Sequence, residues 1–184
     1  MTQGIYISAM TPQAGKTLVA LGMADAMFKR SNSLGFFRPV FDGDSAEQDP
    51  VLQLMKRTFD LPDSRCRGGI SLEQTRGFLA SGDHAELDSL AMAVYSEMTH
   101  ECDVILVDGT DLVAHNAVTA EFDLNARLAN DMGCSVAAVI SAKDSERVED
   151  VLNAVDVTRT ELRQAGCDLF AVIVNRANPE KSVV

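Results

Sequence analysis

The chain has 184 residues, 46% of them hydrophobic and 23% charged, a balance that fits one folded globular domain with a sizeable core and excludes a disordered chain. Its net charge of -11 argues against a nucleic-acid scaffold or a general attraction to anionic membranes, both of which rest on clustered Lys and Arg. No apolar run approaches the roughly 20 residues that span a bilayer, and no basic segment followed by a removable apolar stretch opens the chain. A cytoplasmic protein with no nucleic-acid or membrane partner is expected.

The first element is a strand, Gly4-Ile5-Tyr6-Ile7, which runs through Ser8 into a loop ending Gly15-Lys16-Thr17. Leu18 to Met27 then reads as a largely apolar helix closed by Lys29-Arg30, cations suited to its C-terminus. A strand, such a loop and a helix in succession point to a phosphate-binding loop. Unpaired N–H groups of the first helical turn, with the positive end of the helix dipole, would face an anion. Gly15, Lys16 and Thr17 are therefore the candidate phosphate residues, Lys16 supplying charge to the outer phosphates and the Thr17 hydroxyl a hard oxygen for Mg²⁺. The spelling G-x-x-x-x-G-K-[ST] is incomplete. Its first glycine falls on Met10, or on Ala9 in a form one residue longer, where positive φ is less accessible. Pro12 also removes a donor. An ordinary helix start with an exposed lysine is the competing reading.

Leu34 to Val40 is the next strand, followed by an acidic loop over Asp42 to Pro50 that carries Asp42, Asp44, Glu47 and Asp49 and lies where it could swing over the phosphates. A helix over Val51 to Phe59 stops at Leu61-Pro62. Ser71-Leu72-Glu73-Gln74 reads as a capping box opening a short helix toward Leu79. Leu87, Leu90, Ala91, Val94, Tyr95 and Met98 recur at helical spacing, as one apolar face.

Val104-Ile105-Leu106-Val107, preceded by Asp103 and followed by Asp108-Gly109, is a short apolar run of the kind that forms a buried parallel strand. A carboxylate at its C-terminal end lies where ligands bind in open α/β sheets. Asp108 would there hold Mg²⁺ directly or through water, and an Asp-Gly turn is the plainer alternative. A helix over Asp123 to Asn130 stops near Gly133, and a strand follows over Ser135 to Ile140. A long helix over Glu146 to Gln164 stops near Gly166, and the last strand is Leu169 to Val174, ending Asn175-Arg176. Alternating strand and helix predict a mostly parallel sheet with helices on both faces. Residues 1–177 form the expected domain and 178–184 the start of a linker to further domains.

Cys66, Cys102, Cys134 and Cys167 make no C-x-x-C pair, and three of them sit at the edges of apolar runs, so buried reduced thiols are expected. His84, His100 and His115 lack ligand spacing and read as surface or helix-end residues.

With these motifs in place, the chain resembles the N-terminal domain of the long form of phosphate acetyltransferase, itself similar to dethiobiotin synthetase. The resemblance runs through the Ser8 to Thr17 loop, Phe37-Arg38-Pro39-Val40, Val104 to Thr110, Glu121-Phe122-Asp123-Leu124-Asn125-Ala126 and Val172-Ile173-Val174-Asn175-Arg176. Asp108-Gly109-Thr110-Asp111 and Glu121 to Ala126 are most particular to the acetyltransferase. The resemblance implies a P-loop NTPase-like fold and a parent enzyme that interconverts acetyl-CoA plus phosphate with acetyl phosphate plus coenzyme A. It places the acetyl transfer in a C-terminal domain, leaving this one regulatory, not catalytic alone, and part of a homo-oligomer.

Carried over from dethiobiotin synthetase, the resemblance puts Lys16 on the outer phosphates of ATP, surrounds Mg²⁺ with Thr17, Asp49 and Asp108, and has Asn175 read adenine. Asp42 and Asp44 are as near as Asp49 in the unaligned loop. Two departures count against a working synthetase: Gln13 stands where it has an acidic residue, and Arg38 where it has the lysine of a Lys-Pro-Val run. Arginine anchors an anion but does not readily release a proton. The alternatives to a regulatory nucleotide domain are a free-standing ATP-dependent ligase and a structural domain whose loop binds nothing.

Overall fold

The computed structural model describes residues 2–11, 13–31, 33–111, 118–145 and 147–178. Expectations for Pro12, His115, Glu146 and residues 179–184, the greater part of the expected linker, lie outside the described residues.

The strands are β1 (Gln3–Ala9), β2 (Leu34–Phe41), β3 (Cys66–Ser71), β4 (Val104–Asp108), β5 (Ser135–Ser141) and β6 (Leu169–Asn175). They form one six-stranded sheet in the order β3-β2-β4-β1-β5-β6, every neighbouring pair parallel. The helices are α1 (Lys16–Phe28), α2 (Pro50–Phe59), α3 (Leu72–Ser81), α4 (His84–Met98), α5 (Val118–Asp131) and α6 (Val148–Gln164).

Period-two alternation divides the strand side chains between two cores. Ile5, Ile7, Leu106, Ala137 and Val139 pack with α1 and α2 on one face, while Tyr6, Ile105, Val107, Val136 and Ala138 pack with α3 to α6 on the other. Central strands must therefore be apolar throughout, and the run from Ile105 to Val107 is wholly buried. Each buried Val, Leu or Ile among them contributes about 1.5–3 kcal/mol by leaving water.

The parallel α/β architecture agrees with the sequence expectation, and the capping box at Ser71 and Gln74 opens α3 as predicted. One strand was not anticipated. In β3, Cys-Arg-Gly-Gly-Ile-Ser offers no alternation, because its glycines answer a packing need: a Cβ on Gly69 would meet the Pro39 carbonyl oxygen of β2 at 2.4 Å. Helix starts also moved. α1 begins at Lys16, not Leu18, and α5 begins at Val118, five residues before Asp123.

This topology decides where a ligand can sit. From central β1 the chain leaves by α1 toward β2 on one side, whereas β4 sends α5 toward β5 on the other. The strand order thus reverses beside the C-terminal ends of β1 and β4, where open parallel sheets hold ligands.

Candidate functional site

Three segments meet at those ends: the loop after β1, the end of β4 and the end of β2. The loop leaves the sheet at Met10, whose N–H donates to the Val139 carbonyl (2.9 Å). Neither Ala9 nor Met10 has positive φ; the left-handed residues of the loop are Gln13 (φ 53°) and Gly15 (φ 82°). A glycine at the head of the motif is therefore not what this loop's path requires. Gly15 is required, since a Cβ there would come within 2.4 Å of Asn175 Nδ2 in addition to the strained φ.

Helix α1 starts with no side chain capping its first N–H groups and no acidic residue in its first turn. By contrast α2, α3 and α4 are capped by Asp49, Ser71 and Asp83. An uncapped N-terminus facing the ligand edge of the sheet leaves donors for an anion.

Lys16 is only 4% exposed, so its ammonium must find oxygens inside the protein. It donates to Asp108 Oδ1 (2.7 Å) and to the Gly109 carbonyl, with Asp111 Oδ2 at 3.4 Å. Asp108 is 1% exposed and ends β4, opposite Ile7 of β1. Its second oxygen, Oδ2, lies 3.2 Å from Arg38 Nε, but the geometry is not that of a hydrogen bond, so both atoms are buried without a hydrogen-bond partner. Thr110 Oγ1 shares that condition.

Arg38 projects from β2 and joins Asp108 to Asp49, to which its Nη1 donates at 2.5 Å. Burial works against the guanidinium's charge, but Asp108 and Asp49 outweigh it and raise its pKa. Asp49 is wholly buried. Its Oδ1 accepts from the Val51 and Leu52 N–H groups and its Oδ2 from Arg38 and the Asp42 N–H. Both oxygens are thus committed to capping α2 and fixing the acidic loop, which folds here into a 3-10 turn over Ala46–Gln48.

The sequence-predicted residues fall into two groups. Gly15, Lys16 and Asp108 converge directly, with Thr17 next in the helix. Asp49 reaches the cluster only through Arg38, whose positive charge stands between the two carboxylates expected to share a cation. Asn175 lies beside the loop, its Nδ2 donating to the Ala14 carbonyl (2.8 Å) and its Oδ1 accepting from the Arg176 N–H (2.9 Å). Among the described residues no cluster of three His, Cys, Asp or Glu side chains is arranged to hold a metal. All four cysteines are buried and free. Burial pushes the Cys66 thiol up to about 12 and the Cys134 thiol to about 11, which leaves both inert near neutrality. His84 and His100 lie exposed on the surface.

Asp111 and Asn125 have no expected role, although both lie in stretches that carry the resemblance. Asn125 Oδ1 accepts from Tyr6 Oη and the Thr110 N–H (both 2.8 Å), while its Nδ2 donates to the Thr110 carbonyl (3.0 Å). Asn125 is 2% exposed, and a buried amide of this kind needs such partners.

Residues 3–184 match the AAA domain family, and the chain belongs to it. Among curated proteins it is similar to the phosphate acetyltransferase of Nitratidesulfovibrio vulgaris, at 28% identity over 96% of this chain and 25% of the relative. The phosphate acetyltransferase of Synechocystis sp. is 26% identical over 98% of this chain and 26% of its own length. The chain thus spans about a quarter of the curated relatives it matches. In fold it is similar to the chimerical protein CapA2B2, with a TM-score of 0.55, 17% identity, and 96% and 77% of the two chains covered. It also resembles the BceF tyrosine kinase domain, with a TM-score of 0.51, 16% identity, and coverage of 94% and 68%. The fold is a P-loop NTPase-like α/β sheet, and no helix of the described residues is long and apolar enough to cross a membrane.

Proposed function

We propose that this chain is a regulatory nucleotide-binding domain of a phosphate acetyltransferase-type protein, and that its loop takes the polyphosphate end of ATP together with Mg²⁺. The observation that carries the reading is the bare N-terminus of α1 beside a buried Lys16–Asp108 pair. Side chains cap α2, α3 and α4, and α1 differs from the likewise uncapped α6 in having a buried lysine–aspartate pair beside its first turn.

The donor set fits a hard cation. Asp108 Oδ2 is a buried acceptor without a hydrogen-bond partner, and Thr17 supplies a hydroxyl one residue beyond Lys16, so these two residues would hold Mg²⁺. The bound ion would offset phosphate charge, which this site needs: two cations, Lys16 and Arg38, already face three carboxylates, Asp49, Asp108 and Asp111. Asp49 serves the cation indirectly, by keeping Arg38 against Asp108. For Asn175 to read adenine, its amide would have to exchange the Ala14 carbonyl for a base edge, so the loop and the base would compete for it.

In this reading, residues 1–177 are the domain and 178–184 lead toward a C-terminal acetyltransferase domain of the same cytoplasmic, homo-oligomeric protein. That domain carries out the exchange of acetyl-CoA and phosphate with acetyl phosphate and coenzyme A. Relatives four times as long support a further domain. The isolated chain is then without acetyl transfer of its own. A proton-releasing ligase centre is not favoured, because Arg38 is held charged by two carboxylates.

Calorimetric titration with ATP and Mg²⁺, beside Lys16→Ala, tests the proposal. Saturable, Mg²⁺-dependent binding that the variant loses is expected. Absence of binding by either protein to about 1 mM nucleotide, a free energy near 4 kcal/mol, would leave the domain as a scaffold.

A further inference from the structure

The Lys16 ammonium donates to Asp108 and to the Gly109 carbonyl and pairs with Asp111 Oδ2 at 3.4 Å, so the charge that would grip a phosphate is already in use. Two of those oxygens come from one turn, residues 109–111, directly after β4. That turn is clamped from the core. Asn125 holds the Thr110 backbone by both its N–H and its carbonyl, and Tyr6 Oη fixes the Asn125 amide in turn. Tyr6 is fully buried and Asn125 is 2% exposed. Gly109 cannot carry a side chain, since a Cβ would meet the Ile7 carbonyl oxygen at 2.6 Å and Asn125 Oδ1 at 2.8 Å.

The two carboxylates on Lys16 differ in setting. Asp108 is 1% exposed, whereas Asp111 is 50% exposed. Asp111 is therefore the partner at the solvent side of the ammonium, where an incoming phosphate oxygen has to arrive. A carboxylate there offers Lys16 the same kind of anionic oxygen that a phosphate would, and it repels any other anion that approaches.

We propose that Asp111, presented by the turn that Asn125 and Tyr6 clamp, is an internal occupant of the phosphate position on Lys16, so that a ligand binds only by displacing it. The inference rests on the phosphate-loop reading above. It makes Asp111 the residue that sets ligand class: a small lone anion such as inorganic phosphate only replaces the resident carboxylate on Lys16, while a polyphosphate carrying Mg²⁺ adds contacts to the bare α1 N-terminus and to Asp108. MgATP is therefore favoured over inorganic phosphate.

The test compares the chain with Asp111→Asn, which keeps the shape of this half-exposed side chain and removes its charge. Two readouts are taken: acylation of Lys16 by a small amine reagent, followed by peptide mass spectrometry with exposed Lys29 as internal reference, and binding of MgATP and inorganic phosphate. Faster Lys16 acylation in the variant, with MgATP bound about fivefold tighter and inorganic phosphate newly detectable, is the expected result. Unchanged Lys16 acylation overturns the inference whatever the binding data show. Faster acylation in a variant that binds MgATP measurably but no tighter than the parent chain does also overturns it, and makes Asp111 a ligand-side group instead. Faster acylation with no binding of either probe to either protein would sink the nucleotide reading while confirming that Asp111 closes over Lys16.

Discussion

Helices α1 and α2 lie on the same face of the sheet and are linked through the chain of charges Lys16, Asp108, Arg38 and Asp49, yet their first turns are built in opposite ways. α2 begins with Asp49 as cap and Pro50 as its first residue, and the carboxylate satisfies two N–H groups of that turn. α1 has Gly15 at its cap position, with no side chain to offer, and its first residue, Lys16, turns inward. One start is complete within the chain and the other is left for something else. The contrast separates a carboxylate whose two oxygens cap a helix and hold an arginine, Asp49, from one that pairs with Lys16 and keeps an oxygen without a hydrogen bond, Asp108, although the two look alike in sequence.

The largest effect is expected from breaking the closed start. Asp49→Ala removes a helix cap, the Asp42 N–H acceptor and the partner of a buried guanidinium, and should cost about 3–5 kcal/mol in chemical denaturation. A cost under about 1 kcal/mol would mean that Arg38 finds Asp108 alone sufficient. Gly15→Ala acts on the open start. It should destabilise by about 1–3 kcal/mol through positive φ and the clash with Asn175, and Asn175→Ala in the same chain should recover only the part due to the clash. Ser71→Ala, which removes the cap of α3 far from the site, should cost about 1 kcal/mol and leave nucleotide binding untouched. A binding loss in that variant would show that the helix starts are not independent.

The smallest effect concerns pH. Because burial raises the Cys66 and Cys134 thiols above their ordinary value of 9.0, to about 12 and about 11, their contribution to stability is complete below that value. It is lost as pH rises through 9 toward 11 and 12, where only the unfolded chain ionises freely. Denaturation midpoints should therefore show no thiol-linked change between pH 6 and 8 and should fall above pH 9, a fall that Cys66→Ala and Cys134→Ala would each reduce.

Much of this was legible in the amino-acid order. The runs at Ile5 to Ile7, Val104 to Val107 and Val136 to Ile140 are apolar because both faces of each strand are covered, and that composition announces a parallel sheet before any coordinates. Lys16 and Asp108 were legible because each sits at a junction, one after a strand and the other at a strand's end. β3 was not, since its glycines are set by the backbone of β2 and the side chains above it, a requirement that exists only in three dimensions. The place of Arg38 was hidden for a similar reason: its two partners lie 11 and 70 residues away along the chain, and only the pairing of β2 with β4 brings them to one guanidinium. Asp49-Pro50 did carry a readable cap signature, and Asp49 caps α2.

The most direct measurement is an amide-resolved NMR titration of the chain with MgATP, comparing the first turns of α1 and α2. Saturable shifts are expected at Gly15, Lys16 and Thr17, with Val51 and Leu52 unmoved under their Asp49 cap. Saturation at Val51 and Leu52 with the loop silent, or no saturable shift at either start, would contradict the phosphate-loop reading.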